Sequence, residues 1–314
     1  MWAVQYHRCG GPEVLRVEDV PAPRLREGQV LVRTLASAVS RIDVMYRRGR
    51  LPHGLFPKQT GFDAVGQVVD SRTEAIVPGT WVAVVLGPLR SRGTTVELLA
   101  VEPSRCGLFP HGYTPRVEDC ALVLGGLTAL RALRDGVRIR PGERMLVVGA
   151  GGPVGLAAIQ MARACGAGVD AVAGRAALHS CLTLGAAEAW DHRGTEMSEL
   201  RASQRYDALV VAGGKPSEWL PAVRRGGRAA ITDGGAWPGS IPTALRTGVR
   251  SVPVAAGHGS EELTWLARRI ARGDLVPVDG RRYGPDGVAR AHAELGAGGT
   301  CGARIIDHRQ TRIL

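Results

Sequence analysis

The residues best suited to chemistry lie in "VVGAGGPVG", residues 147–155, where Gly149, Gly152 and Gly155 recur at three-residue intervals. The apolar run "RMLVV" precedes them and "PVGLAAIQMARACGA" follows, so the glycines fall between an expected buried strand and an expected helix. A turn without side chains lets its backbone approach a pyrophosphate, and the N-terminus of the helix, where Pro153 can sit at little cost without an N–H, offers the free N–H groups of residues such as Val154 and Gly155 and a partial positive charge. The alternative is a tight turn that binds nothing. The next strand ends "AVAGR" (171–175). Sites for NAD place Asp or Glu there, on the ribose diol. Asp170 comes too early, whereas Gly174 and Arg175 stand where a 2′-phosphate would be met, with His179 one turn further on. A phosphate favours an arginine fork over a carboxylate, so the expected cofactor is NADPH rather than NADH. The competing reading of Arg175 is a solvated arginine in an arginine-rich chain.

A second group of residues surrounds "QTGFDAVGQ" (59–67). Asp63 is read three ways: metal ligand, catalytic acid or structural anchor. His53, in "RLPHGLFP", is a candidate acid or a solvated loop histidine. Six cysteines stand at 9, 106, 120, 165, 181 and 301, with no CxxC pair, which argues against a disulfide framework or a four-cysteine zinc site. Scattered thiols fit a cytoplasmic protein.

The elements that must hold these residues divide the chain. The first 120 residues read as strands and turns: "GQVLVRTLASAVS" (28–40), "DAVGQVV" (63–69) and "TWVAVVL" (80–86), with a short helix or turn at "SRIDVMYRRG" (40–49). After Pro110 the pattern changes. Helical spacing spans 116–133, then strands within 142–152, 169–173, 206–214 and 228–235, three of them running into glycines, alternate with helices at 153–167, 176–184 and 217–227. That alternation predicts a doubly wound parallel sheet. Two further helices, 260–273 and 287–299, lead to a last strand at 301–308 that is expected to return to the first domain. The expected fold class is α/β, with domains at 1–120 and 121–250 and a return at 251–314.

A hydrophobic content of 45% supports a packed core. No apolar run reaches the roughly 18 residues of a membrane span, and "MWAVQYHRCGG" does not read as a signal peptide. The net charge of +11 rests almost wholly on arginine, since Lys58 and Lys215 are the only lysines. The arginines are scattered and show no nucleic-acid-binding pattern, so no nucleic-acid or membrane partner is expected. Part of the excess would help draw in a phosphorylated cofactor.

Together these blocks resemble the medium-chain dehydrogenase/reductase superfamily, in its zinc-free quinone oxidoreductase branch. The resemblance runs from "GGPEVLRVEDVPAPRLREGQVLV" through "TGFDAVGQVVD", "GGLTALRAL" and "LGAAEAWDHR" to "LARRIARGDLVPV". It implies a mostly β, GroES-like catalytic domain built from both chain ends, an inserted Rossmann domain, NADPH in the cleft, and a homodimer. It makes Thr128 of "GGLTAL" a cofactor contact. It places Gly213 and Gly214 in the loop beside the adenosine ribose and pyrophosphate. The zinc ligands of related alcohol dehydrogenases correspond to Ser40, Phe62 and a position near Leu124, none of them suited to hold zinc, so no metal is expected.

Without a Lewis acid, hydride transfer to a quinone or an α,β-unsaturated carbonyl is favoured over alcohol oxidation. The tyrosine of many zinc-free relatives is Met45 here, with Tyr46 beside it. Ser40 replaces an asparagine common in the branch. Ser40, Tyr46 and His53 are the candidate catalytic residues. Asp43 is expected to tie down a loop, and Asp63 to be a buried anchor paired with an arginine such as Arg41 or Arg47. The loop "RGTTVELL" departs from the family's "GGYAEY", which suggests an unusual substrate and a role in natural-product tailoring. Two alternatives remain: a different, redox-neutral transformation on the same scaffold, and a noncatalytic NADPH-binding sensor.

Overall fold

Alternating burial along the ten-residue strand Val30–Val39 sets the centre of the first structural unit. Val30, Val32 and Ala36 are fully buried, as expected of a strand with one face on a core. The computed structural model describes residues 1–52, 54–87, 92–233, 235–257, 259–278, 280–297, 299 and 301–310. Its contacts separate two units. One comprises residues 1–124, 258–298 and 303–314; the other comprises 125–257 and 299–302.

The first unit holds strands β1 (Trp2–Tyr6), β2 (Arg16–Asp19), β3 (Val30–Val39), β4 (Lys58–Gln59), β5 (Asp63–Ser71), β6 (Trp81–Val85), β7 (Leu98–Val101) and β8 (Cys106–Leu108). Helix α1 (Arg41–Arg47) follows β3. Strands β2, β1 and β4 form a small antiparallel sheet. A Cβ on Gly66 of β5 would lie 2.5 Å from the Arg33 carbonyl oxygen of β3, so only glycine lets the two strands approach there. The register shifts nearby, between Thr34 and Ala36.

The chain leaves this unit through α2 (Val123–Arg131). A 3₁₀ turn at Val117–Leu122 precedes α2 and a π-helical turn at Ala132–Val137 follows it, so the single helix read over 116–133 is three helical segments. Strands β9 (Arg144–Val148), β10 (Gly168–Ala173), β11 (Glu188–Asp191), β12 (Tyr206–Val211), β13 (Val223–Ile231) and β14 (Arg250–Pro253) form one sheet. Its order is β11-β10-β9-β12-β13-β14, with every pair parallel. Numbered from β9, that is the 3-2-1-4-5-6 order of a doubly wound nucleotide-binding sheet. The intervening helices are α3 (Pro153–Ala164), α4 (Leu178–Thr183), α5 (Met197–Ala202), α6 (Pro216–Trp219) and α7 (Ile241–Thr247).

One helix is shorter than its sequence pattern. Residues 217–227 keep apolar side chains three and four apart, but helical structure stops at Ala222 and Val223 already pairs with Tyr206 as the start of β13. Strand pairing overrides the local helical spacing. The ladder then skips residues, and a Cβ on Gly227 would strike Val223 at 2.3 Å.

Helix α8 (Ser260–Ala271), strand β15 (Arg282–Tyr283), helix α9 (Val288–Ala297) and strand β16 (Arg304–Asp307) complete the first unit. Helix α8 buries Leu263, Leu266 and Ile270 as one stripe. Strand β16 pairs antiparallel with β3, Ile305 opposite Ala38, so the last strand returns to the first sheet. His308, just beyond it, is wedged between Thr34 and Ser37 of β3. Thr34 Oγ1 donates to the Val96 carbonyl and so accepts from His308 Nδ1 at 2.7 Å, while Ser37 Oγ meets Nε2 at 3.0 Å.

Candidate active site

The candidate nucleotide site in the second unit is built on the carboxyl ends of β9, β10 and β12, which lie in register: Val148 faces both Val172 and Val211. Gly149 leaves β9 at φ +77°, and a Cβ there would lie 2.6 Å from the Gly213 amide nitrogen. The glycine turn thus abuts the loop of Gly213 and Gly214. Gly155 is packed as tightly, since a Cβ would lie 2.4 Å from Ala150 Cα. Gly152 differs. It is the N-cap of α3, with no side-chain cap, and a Cβ there would have only the Gly149 carbonyl oxygen near it, at 3.7 Å. The fold therefore does not require glycine at 152, whereas a phosphate lying on the start of α3 would. Pro153 fills the first helical position, where no N–H is needed. Val154 beside it is half-buried. These residues fit a dinucleotide.

Thr128 lies on α2, one turn after Gly125. A Cβ on Gly125 would sit 2.6 Å from Pro153 Cβ, so α2 runs against the start of α3 and carries Thr128 with it. Gly174 ends β10, and Arg175 after it is exposed, with no acidic partner among the described residues. Asp170, at the other end of β10, is buried under Arg144, whose Nη2 lies at 2.7 Å, and the Tyr206 hydroxyl at 2.9 Å, and is thereby committed to holding strands together. His179 on α4 is exposed and forms no hydrogen bond or ion pair with a described residue. The sequence reading missed His192. Its Nδ1 donates to the Ala173 carbonyl at 3.1 Å, and its ring lies 3.8 Å from where a Gly174 Cβ would be. No spacing rule marks it, because β11 brings it there through the sheet.

A separate set of candidate residues lies in the first unit, around α1. Ser40 caps α1 in extended conformation, and Asp43 closes a reciprocal capping box. Asp43 Oδ2 accepts from the Ser40 amide at 2.8 Å and from Ser40 Oγ at 2.6 Å, while Oδ1 accepts from the Gly61 amide at 2.9 Å. Asp43 therefore ties the loop before β5 to α1, as expected. Burial raises its pKa to about 6 against these hydrogen bonds. The Ser40 hydroxyl proton is committed to Asp43, which leaves Ser40 Oγ as an acceptor.

Asp63 is buried but has neither Arg41 nor Arg47 as partner. Its Oδ2 accepts the Leu124 amide at 3.0 Å, at the start of α2, and Oδ1 has no hydrogen-bond partner among the described residues. The arginine expectation fails because Arg47 Nη1 turns to the Gly10 carbonyl, at 2.6 Å, and Arg41 is exposed. Burial, reinforced by the neighbouring Asp43, raises the Asp63 pKa well above the carboxylate range. Tyr46 is buried, with its ring 5.3 Å from that of Phe62, and its hydroxyl bonds to no described residue. His53 lies outside the described residues. A cavity of about 20 Å³ opens beside Tyr46 and Asp43, lined also by Tyr6, Lys58, Phe62 and Arg92. Lys58 was not singled out from the sequence, although it is one of two lysines in an arginine-rich chain.

Of the residues that the resemblance sets against zinc ligands, Ser40 caps α1, Phe62 presents a ring, and Leu124, near the third position, gives its backbone amide to Asp63. Among the described residues no three His, Cys, Asp or Glu side chains are grouped to hold a metal ion.

Comparison with known proteins agrees with this geometry. Residues 26–132 match the alcohol dehydrogenase GroES-like domain. The chain is 31% identical to the quinone oxidoreductase of Lama guanicoe, covering 94% of this chain and 93% of that one. It is 28% identical to the quinone oxidoreductase of Pseudomonas aeruginosa, over 96% and 98% of the two chains. The solved structure of a Pseudomonas syringae quinone oxidoreductase superimposes with a TM-score of 0.85 at 25% identity, over 98% and 99% of the chains. With its GroES-like and Rossmann units and without the family's zinc ligands, this chain belongs to the zinc-free, quinone-oxidoreductase-like branch of the medium-chain dehydrogenase/reductase superfamily.

Proposed function

We propose that this oxidoreductase uses NADPH to reduce a quinone or an α,β-unsaturated carbonyl, with the first and last segments of the chain forming the catalytic domain. The observation that carries the reading is the pairing of an intact dinucleotide turn with zinc positions occupied by Ser40, Phe62 and Leu124. When bound, NADPH supplies a hydride. The residues of this chain supply the rest. Gly152 leaves room for the pyrophosphate, α3 directs amides at it, and Arg175 receives the 2′-phosphate. No residue of the Ser40, Phe62 and Leu124 set polarises a simple alcohol, so the acceptor must spread negative charge by its own conjugation. The Tyr46 hydroxyl is free to hydrogen-bond the acceptor oxygen. The reading includes a homodimer in the cytoplasm, and the departing loop "RGTTVELL" points to tailoring of a larger molecule.

The test is NADPH oxidation followed at its absorbance band against a panel of quinones and enones, repeated with NADH. Turnover with conjugated acceptors and not with simple ketones supports the reading. Tight NADPH binding with no turnover on any acceptor would replace it with a sensor.

A further inference from the structure

Lys58 begins β4, with its Cα opposite that of Tyr6 in the small sheet. It is only 2% exposed, yet Nζ has no hydrogen-bond partner among the described residues. The Tyr46 ring centroid lies 5.5 Å from Nζ and Cys9 favours its charge, but a ring face only partly replaces water around an ammonium. Asp43 shares the cavity, but both its oxygens are engaged by Ser40 and Gly61. The exposed Arg92 adds a second positive group to the lining. The cavity, about 20 Å³, has room for one water-sized group. A buried cation without an acceptor is costly, and what relieves it is an oxygen bearing negative charge.

We infer that this cavity is an anion-recognition subsite, in which Lys58 Nζ, assisted by Arg92, receives an ionised oxygen carried by the substrate. This deepens the reductase reading and rests on it: the preferred acceptors are acidic, conjugated molecules bearing a carboxylate or an ionised hydroxyl, rather than their neutral parents. Burial also lowers the pKa of Lys58, as expected for an ammonium awaiting a counter-charge.

The experiment compares 2-hydroxy-1,4-naphthoquinone, which is ionised near neutral pH, with neutral 1,4-naphthoquinone. Binding is measured by calorimetry on the full-length protein without cofactor, and KM is measured with NADPH. The wild type is expected to bind the ionised quinone about tenfold or more tightly than the neutral one. Lys58→Met should weaken the ionised quinone about tenfold and change the neutral one less than about twofold, while Lys58→Arg retains most of the preference. Removing an unpaired buried charge should leave the melting temperature of Lys58→Met at or above that of the wild type. Equal affinity of the wild type for the two quinones, a measurement needing no variant, would overturn the inference. So would equal losses for both quinones in Lys58→Met. Sodium acetate is the control for a free small anion; acetate binding as tight as the hydroxyquinone's would also overturn a substrate subsite. Lys58-dependent binding of the ionised quinone without its reduction would uphold the subsite and sink the reductase reading, so the two fail separately.

Discussion

At the scale of single residues, two buried carboxyls and one exposed arginine decide most of the chemistry. Asp43 binds its proton more tightly folded than unfolded, its pKa rising from 3.8 to about 6. Its contribution to stability is therefore complete below pH 3.8 and is lost as the pH rises through about 6. The loss amounts to about 3 kcal/mol. Urea unfolding at several pH values should show the difference between wild type and Asp43→Asn moving against the wild type by that order from acid to neutral pH; a pH-independent difference would contradict the burial argument. Asp63 holds one amide, that of Leu124, and leaves its other oxygen unpartnered. Asp63→Asn should then destabilise less than Asp63→Ala, whose orphaned amide costs about 1–3 kcal/mol. Arg175 has no acidic partner among the described residues. Arg175→Ala should raise the KM for NADPH about tenfold to a hundredfold and leave that for NADH within about twofold, as steady-state kinetics will show.

At the scale of elements, the turn between β9 and α3 separates folding from binding. Gly155→Ala forces a Cβ onto Ala150 and should cost about 1–3 kcal/mol in chemical denaturation. Gly152→Ala meets open space and should melt like the wild type while losing NADPH affinity in calorimetry. If the two variants behaved alike, the glycine spacing would be a folding device only. The last strand makes its own prediction through His308. Burial lowers its pKa from 6.5 to about 3, so the unfolded chain takes up a proton that the folded chain refuses. The stability gained from the neutral ring is present above pH 6.5 and lost as the pH falls toward 3. Relative to His308→Gln, the wild-type advantage should shrink by about 1.4 kcal/mol for each pH unit below 6.

At the scale of the whole molecule, the charge of +11 is spread over scattered arginines and suits long-range attraction of an anionic cofactor. Raising the salt from about 0.02 M to about 0.5 M should therefore raise the KM for NADPH more than that for NADH, since the extra phosphate is screened. The sequence by itself determined the α/β class, the doubly wound sheet and the glycine turn. Those features rest on local periodicity and residue type, which a linear pattern records directly. It also marked Asp43 as a loop anchor, although the bond that ties the loop comes from the Gly61 amide, 18 residues on. Tertiary structure decided what depends on distant partners. Asp63 anchors the Leu124 amide instead of an arginine because β5 and the start of α2 meet only in the folded unit. Helical spacing after Ala222 yields to the pairing of Val223 with Tyr206 on β12. His192 and Lys58 become candidates only when strands far apart in sequence are laid side by side, since the neighbours of a side chain are properties that no short stretch of sequence contains.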